Sequence, residues 1–344
     1  MSDASSAPGA PRPGTLEWLA QVVEEPIDPD RPIIDPHHHL WRESRAGHPY
    51  LVDDLWADTE SGHNIEKTVF LECGASYRDD GPEHMKVIGE TEFVAEQAAL
   101  SAADDSKATI AAIVSRADLS LGDAVEEVLH AHEEAGNGLF RGIRHSIARD
   151  PHPEALSIPG RAPEGLATDP GFRAGLKRLG DLGYTYDVWL YHHQLLDFAA
   201  VAAAVPTTTM VLDHFGTPLG VGPYDGKREE IFEQWKPDIV EVARNENVVA
   251  KLGGLAMPDN GFGWNSRSTP ATSDELVAAQ APYYIHTIEC FGPERGMMES
   301  NFPVDRRSIS YTVMWNGLKK IVTDFSEDES QAMFYDTAAR VYRI

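Results

Sequence analysis

Pro32-Ile33-Ile34-Asp35-Pro36-His37-His38-His39-Leu40-Trp41 sets three consecutive histidines at the end of a short apolar run. Ile33 and Ile34, ahead of Asp35, read as a buried strand, and packing gives no reason for imidazoles at its C-terminal end. Side chains alternate between the faces of a strand, so His37 and His39 project to one side, about 7 Å apart along the chain, and His38 points away. Two imidazoles at that spacing can converge on one metal ion. A polar strand end without chemistry is the plain alternative for an isolated pair, so the rest of the chain has to decide.

Seven more apolar runs follow, at 67–73, 109–115, 139–145, 185–191, 208–214, 248–253 and 296–300. Stretches of helical spacing lie between them at 84–103, 123–135, 170–182, 195–204, 228–244 and 274–291. Strands alternating with helices predict a parallel sheet, and eight such units predict an α/β fold closed into a (β/α)₈ TIM barrel. An open doubly wound sheet would want a Gly-rich phosphate loop after the first strand, where this chain has histidines. Connections from helix into strand are short, as in Asn245-Glu246-Asn247, whereas the excursions 41–55, 148–169, 215–227 and 255–273 leave the C-terminal ends of strands. A barrel builds its active site on that side. Two further helices, at 311–325 and 327–342, give the barrel an extra C-terminal helix. Residues 1–30 read as an N-terminal tail and arm, partly disordered, with a short helix at 16–23; residues 31–344 read as a single domain.

The chain has 344 residues, 42% of them apolar, and 29 basic against 55 acidic side chains give a formal charge of −26. That charge repels phosphate backbones and anionic lipid, so nucleic acid and membrane are not expected partners. The two cysteines, Cys73 and Cys290, suggest no disulfide framework and fit a reducing cytoplasm. No apolar run reaches the ~20 residues that span a bilayer. The expectation is a cytoplasmic protein with a small-molecule substrate, and analogy with other barrels suggests a homo-oligomer.

Polar residues collect at the predicted strand ends: Glu72 on the second strand, Arg144-His145 on the fourth, Tyr191-His192-His193 on the fifth, Asp213-His214 on the sixth, and Glu299 through Asp305 on the eighth. A lone histidine near a strand end is more often hydrogen-bonded structure than ligand, but convergence from several strands is harder to dismiss. Arg144 has the donor fork to clamp a substrate carboxylate, with a structural ion pair as the equal alternative. Trp41, Tyr191 and Trp264 read as core.

The series of His-x-His on strand one, histidines on strands five and six, and a Ser-Asn-Phe-Pro-Val segment on strand eight resembles the amidohydrolase superfamily, in its amidohydrolase-2 branch of sugar lactonases and 2-pyrone-4,6-dicarboxylate lactonase. The resemblance runs from about residue 33 to 343, most specifically at 34–41, 211–218 (VLDHFGTP), 249–254 (VAKLGG) and 299–305 (ESNFPVD). It implies a TIM-barrel metal-dependent hydrolase. His37, His39 and His192 would hold a divalent ion, zinc or none at all; His193 replaces His192 if the register slips by one. His192 would also contact substrate, and His214 would carry a proton or support an oxyanion. Asn301 falls where the family has its aspartate base. An amide cannot accept that proton. Glu299, two residues back and on the same strand face, is the expected replacement, ahead of Glu72 and Asp305. The expected activity is hydrolysis of a lactone or related ester or amide bond in a small organic acid or sugar derivative, by metal-assisted attack of water. The alternatives are a metal-independent lactonase or decarboxylase using histidines and Arg144, and a catalytically silent small-molecule-binding homologue in which Asn301 marks lost activity.

Overall fold

In a computed structural model, residues 11–43 and 48–344 are described; residues 1–10 of the expected tail and 44–47 of the first excursion lie outside them. Eight parallel strands follow one another in chain order around a single sheet: β1 Ile33–His38, β2 Ile65–Leu71, β3 Thr109–Ser115, β4 Phe140–Arg144, β5 Thr185–Val188, β6 Met210–Leu212, β7 Val248–Leu252 and β8 Gly296–Met298. The eighth returns to the first, where His38 pairs with Phe302 and the His39 N–H donates to the Phe302 carbonyl at 2.9 Å. This is the expected (β/α)₈ TIM barrel.

The helices are α1 Leu16–Leu19, α2 Val52–Thr59, α3 Ile88–Ser101, α4 Glu126–Ala135, α5 Pro170–Asp181, α6 Leu195–Ala204, α7 Arg228–Ala243, α8 Ser273–Phe291, α9 Tyr311–Ile321, α10 Glu327–Gln331 and α11 Thr337–Tyr342. Sequence spacing missed α2, an eight-residue helix that begins in the 41–55 excursion, runs on to Thr59 and buries only Val52, Leu55, Asp58 and Thr59. The stretch 327–342 is helical but interrupted by a wider turn at 332–336. Beyond the tail, residues 11–32 lie along the barrel: Trp18 is buried, its Nε1 donates to the Arg267 carbonyl, and the Ile27 N–H donates to Asn316 Oδ1 on α9.

Two cores result. Outward-facing strand residues such as Tyr186, Val188, Leu212 and Ala250 pack on Phe172, Phe198, Trp235 and Leu276 of the helices. Inside the barrel, Ile34, Val69, Ala112, Val211, Val249 and Met297 meet Ala338, Val341 and Tyr342 of α11, which plugs the floor. Both faces of each strand are therefore buried, as in parallel barrels generally. The fifth, sixth and eighth strands stop two or three residues short of the predicted ends. There the backbone leaves the sheet, with left-handed φ at His214 (52°), Phe215 (57°) and Asn301 (54°), a conformation rare for residues with a side chain. It turns His214 into the mouth, whereas Phe215 packs on Tyr284 of α8.

Candidate active site

Asp35 fixes the end of β1 before any chemistry begins. One oxygen accepts from the Ser300 and His37 N–H groups at 3.0 and 3.3 Å, the other from the Tyr311 hydroxyl at 2.9 Å, tying strands one and eight to α9. Burial lifts its pKa to about 6. The alternation expected for the histidine run holds. His38 turns outward to Thr68 Oγ1 at 3.1 Å, whereas His37 and His39 face inward with their Nε2 atoms 3.3 Å apart. His39 Nδ1–H donates to the Leu71 carbonyl at 2.8 Å, which leaves its Nε2 as an acceptor.

Glu299 lies between His37 and His214. Its Oε1 is 2.6 Å from His214 Nδ1 and its Oε2 is 2.8 Å from His37 Nδ1. All three side chains are buried. The glycine pair after β7 makes room for them. A Cβ on Gly254 would lie 2.0 Å from His214 Nδ1, and one on Gly253 would lie 2.5 Å from Glu299 Cγ. Burial opposes a charge on His214, but Glu299, with Asp213 and Asp305 nearby, more than offsets it and raises the imidazole pKa. His37 moves the other way, held well below its ordinary value by burial and then by the nearby positive charge of Lys251.

Around this core lies a buried ionic network. Lys251 Nζ on β7 sits 2.9 Å from Asp187 Oδ2, 3.2 Å from Asp213 Oδ1 and 3.3 Å from His37 Nδ1. From the floor, the Tyr342 hydroxyl donates to the same Asp187 oxygen at 2.6 Å. Burial lowers the Lys251 pKa, but Asp187, Asp213 and Glu299 more than restore it, so the net shift is upward. Arg144 Nε donates to Glu72 Oε1 at 2.9 Å, and its Nη1 lies 3.3 Å from Asp213 Oδ2 and 3.4 Å from His37 Nε2. Its Nη2 donates to the Glu72 carbonyl. Four of the five guanidinium N–H groups are thus engaged. Arg144 therefore ties Glu72, Asp213 and His37 together, with one N–H making no hydrogen bond among the described residues.

The structure does not bring His192 to this cluster. β5 has ended at Val188, and the His192 ring packs against His193 at 5.2 Å and Tyr224 at 5.5 Å, with Nδ1 accepting from the Leu219 N–H. His193 Nε2 faces the Arg149 carbonyl at 3.1 Å. Asp187, inside the strand, is the fifth strand's contribution. Asn301 is buried but engaged elsewhere: its Nδ2 donates to Asp305 Oδ1 at 2.8 Å. Sequence reasoning passed over Asp187 and Lys251. The available signal was a charged residue within a strand that a barrel buries on both faces.

The donor atoms of His37, His214 and Glu299 lie within 4.8 Å of one another, a set able to hold a divalent ion. Two further observations fit that. Buried Glu299 Oε2 and Asp213 Oδ1 receive no directed hydrogen bond, because their short approaches to His37 and Lys251 have poor angles. The carboxylates of Glu72, Asp187, Asp213 and Glu299 outnumber the two fixed cations Arg144 and Lys251, leaving a formal excess of two negative charges with neutral imidazoles.

A family model for amidohydrolases, Amidohydro_2, matches residues 34–344. Protein y4mH of Sinorhizobium fredii is 32% identical over 335 residues, spanning 92% of this chain and 99% of its own. L-fucono-1,5-lactonase of Burkholderia multivorans is 27% identical over 324 residues, covering 90% of this chain and 96% of its own. A crystal structure of an amidohydrolase from Burkholderia multivorans with bound zinc superposes with a TM-score of 0.70 at 25% identity, covering 91% of this chain and 99% of that one.

Proposed function

The chain belongs to the Amidohydro_2 family of amidohydrolases and is an enzyme of the hydrolase type, and from that premise we propose that it opens a sugar-acid lactone or a related ester bond in a small organic acid. The observation that carries this reading is the placement of Glu299 between His37 and His214 at the C-terminal mouth of the barrel. The relative that is an L-fucono-1,5-lactonase supports the substrate class, and the zinc in a related structure supports a divalent ion held by His37, His214 and Glu299.

Such an ion, when bound, polarises the ester carbonyl and acidifies a water molecule toward neutral pH. The chain's own groups do the rest. Glu299 takes the place of the acid missing at Asn301 and accepts a proton from water. His214 Nδ1–H, 2.6 Å from Glu299 Oε1, holds that carboxylate in place, and the proton Glu299 has taken returns to the alkoxide released when the ring opens. Lys251 and Arg144 hold Asp213 between them at 3.2 and 3.3 Å, which fixes the wall facing His37. Burial of the cluster keeps bulk water away, so these charges are screened less than they would be at the surface.

The same network supports a second reading, in which the two fixed cations within 3.4 Å of His37 supply the positive charge and no metal is needed. One experiment addresses both. A panel of sugar-acid 1,5-lactones and organic-acid lactones is followed with a pH indicator, before chelation, after chelation and after zinc is restored. Ring opening that stops on chelation and returns with zinc supports the first reading, and ring opening indifferent to chelation supports the second. A panel with no turnover in any state contradicts both.

A further inference from the structure

We propose that Lys251 is a built-in competitor of the divalent cation: its ammonium occupies electrostatically the place a metal would neutralise, so the site binds its ion loosely and exchangeably. The proposal rests on the reading that His37, His214 and Glu299 form the metal site.

The ammonium stands 3.3 Å from His37 Nδ1 and has no exposed surface, so solvent screens little of its charge. It also engages the acidic side chains next to the ligand set. Asp213 is divided between Lys251 and Arg144, and Asp187 faces Lys251 and Tyr342. The residue is held from every side: Asp187 and Asp213 flank it, the Tyr342 ring lies 5.7 Å away, and the strand is buried on both faces. Withdrawing the ammonium to make way for a dication would leave Asp187 without its cation. Lys251 therefore stays and opposes the ion. Removing its charge frees Asp213 Oδ1, which already lacks a directed hydrogen bond, and lifts like-charge repulsion from the ligand set.

The test is zinc affinity measured by competition with a chromophoric chelator, with folding checked by circular dichroism. Lys251→Met is expected to bind zinc at least about tenfold more tightly than wild type, from removal of a unit charge in a weakly screened site. Lys251→Arg, which keeps the charge, should bind like wild type. Because Lys251→Met alone leaves two buried carboxylates less well paired, Lys251→Gln, which removes the charge and keeps an N–H donor toward Asp187, decides the matter if the Met variant does not fold. Tight binding in either folded neutral variant supports the proposal, including the case in which wild type binds too weakly to measure. Wild-type binding with unchanged or weaker affinity in the folded neutral variants overturns it while leaving the metal site intact. Absence of zinc binding in wild type and variants alike overturns the metal site as well. None of these outcomes depends on finding the substrate, so they are separable from failure of the lactone panel.

Discussion

Gly254→Ala puts the geometry of the reactive pair to the test at one atom. The Cβ it adds would stand 2.0 Å from His214 Nδ1 and 2.5 Å from its Cγ, against an ordinary contact of 3.4 Å or more. The imidazole therefore has to retreat by well over 1 Å, which breaks the 2.6 Å bond to Glu299. Misplacement on that scale costs about a hundredfold in rate. Gly254 also has φ of +73°, so alanine adds about 1–2 kcal/mol of backbone strain. Gly138 separates the two effects, because its φ is +85° and a Cβ there meets nothing within 4 Å. Gly138→Ala should show the strain alone in urea unfolding and retain activity; Gly254→Ala should lose both stability and turnover of whichever lactone the wild type opens. Equal activity in the two variants would refute the placement of His214 against Gly254 and with it the His214–Glu299 pair.

Arg144→Met removes the cation that joins Glu72 to Asp213, and breaking a buried pair in this way should cost about 3–5 kcal/mol in denaturant unfolding; a loss near zero means the guanidinium is not the clamp described. Burial pushes His132, whose ring nitrogens contact Thr91 Oγ1 and the Arg116 carbonyl, down to about 4. The unfolded chain takes up that proton near 6.5 and the native state does so only near 4. Stability is thus complete above 6.5 and falls by about 3 kcal/mol as pH drops to 4. Unfolding midpoints at pH 7 and pH 4.5 should differ less in His132→Gln than in wild type, and identical differences contradict the assignment.

Much of this architecture is legible in the sequence, for a physical reason. The β3 run Thr109–Ser115 and the α6 run Leu195–Ala204 are bounded by clear changes of period and coincide with the elements formed. Where strands hand over to the site, periodicity stops being informative, because His214 and Asn301 take backbone conformations set by tertiary contacts. That shortening of β5 is why His192, which read as a strand-end ligand, lies against Tyr224 instead. The His-x-His alternation rested on the two-residue period of a strand and agrees with the positions observed, whereas Glu299 lies just past the end of β8 and Asn301 has left-handed backbone, so no strand period relates the two. Lys251 and Asp187 escaped notice because each looked like a single polar residue in an apolar run, and only the closed barrel makes them face each other at 2.9 Å.

The claim on which the account stands is that Glu299, between two histidines, runs the proton chemistry of lactone opening. Its most direct test is the rate of acid release from the best lactone of the panel by wild type and by Glu299→Gln, each folded and measured at the same zinc concentration. A fall of at least about a hundredfold in kcat is predicted for loss of a general base. A Gln variant that turns over at the wild-type rate contradicts the account.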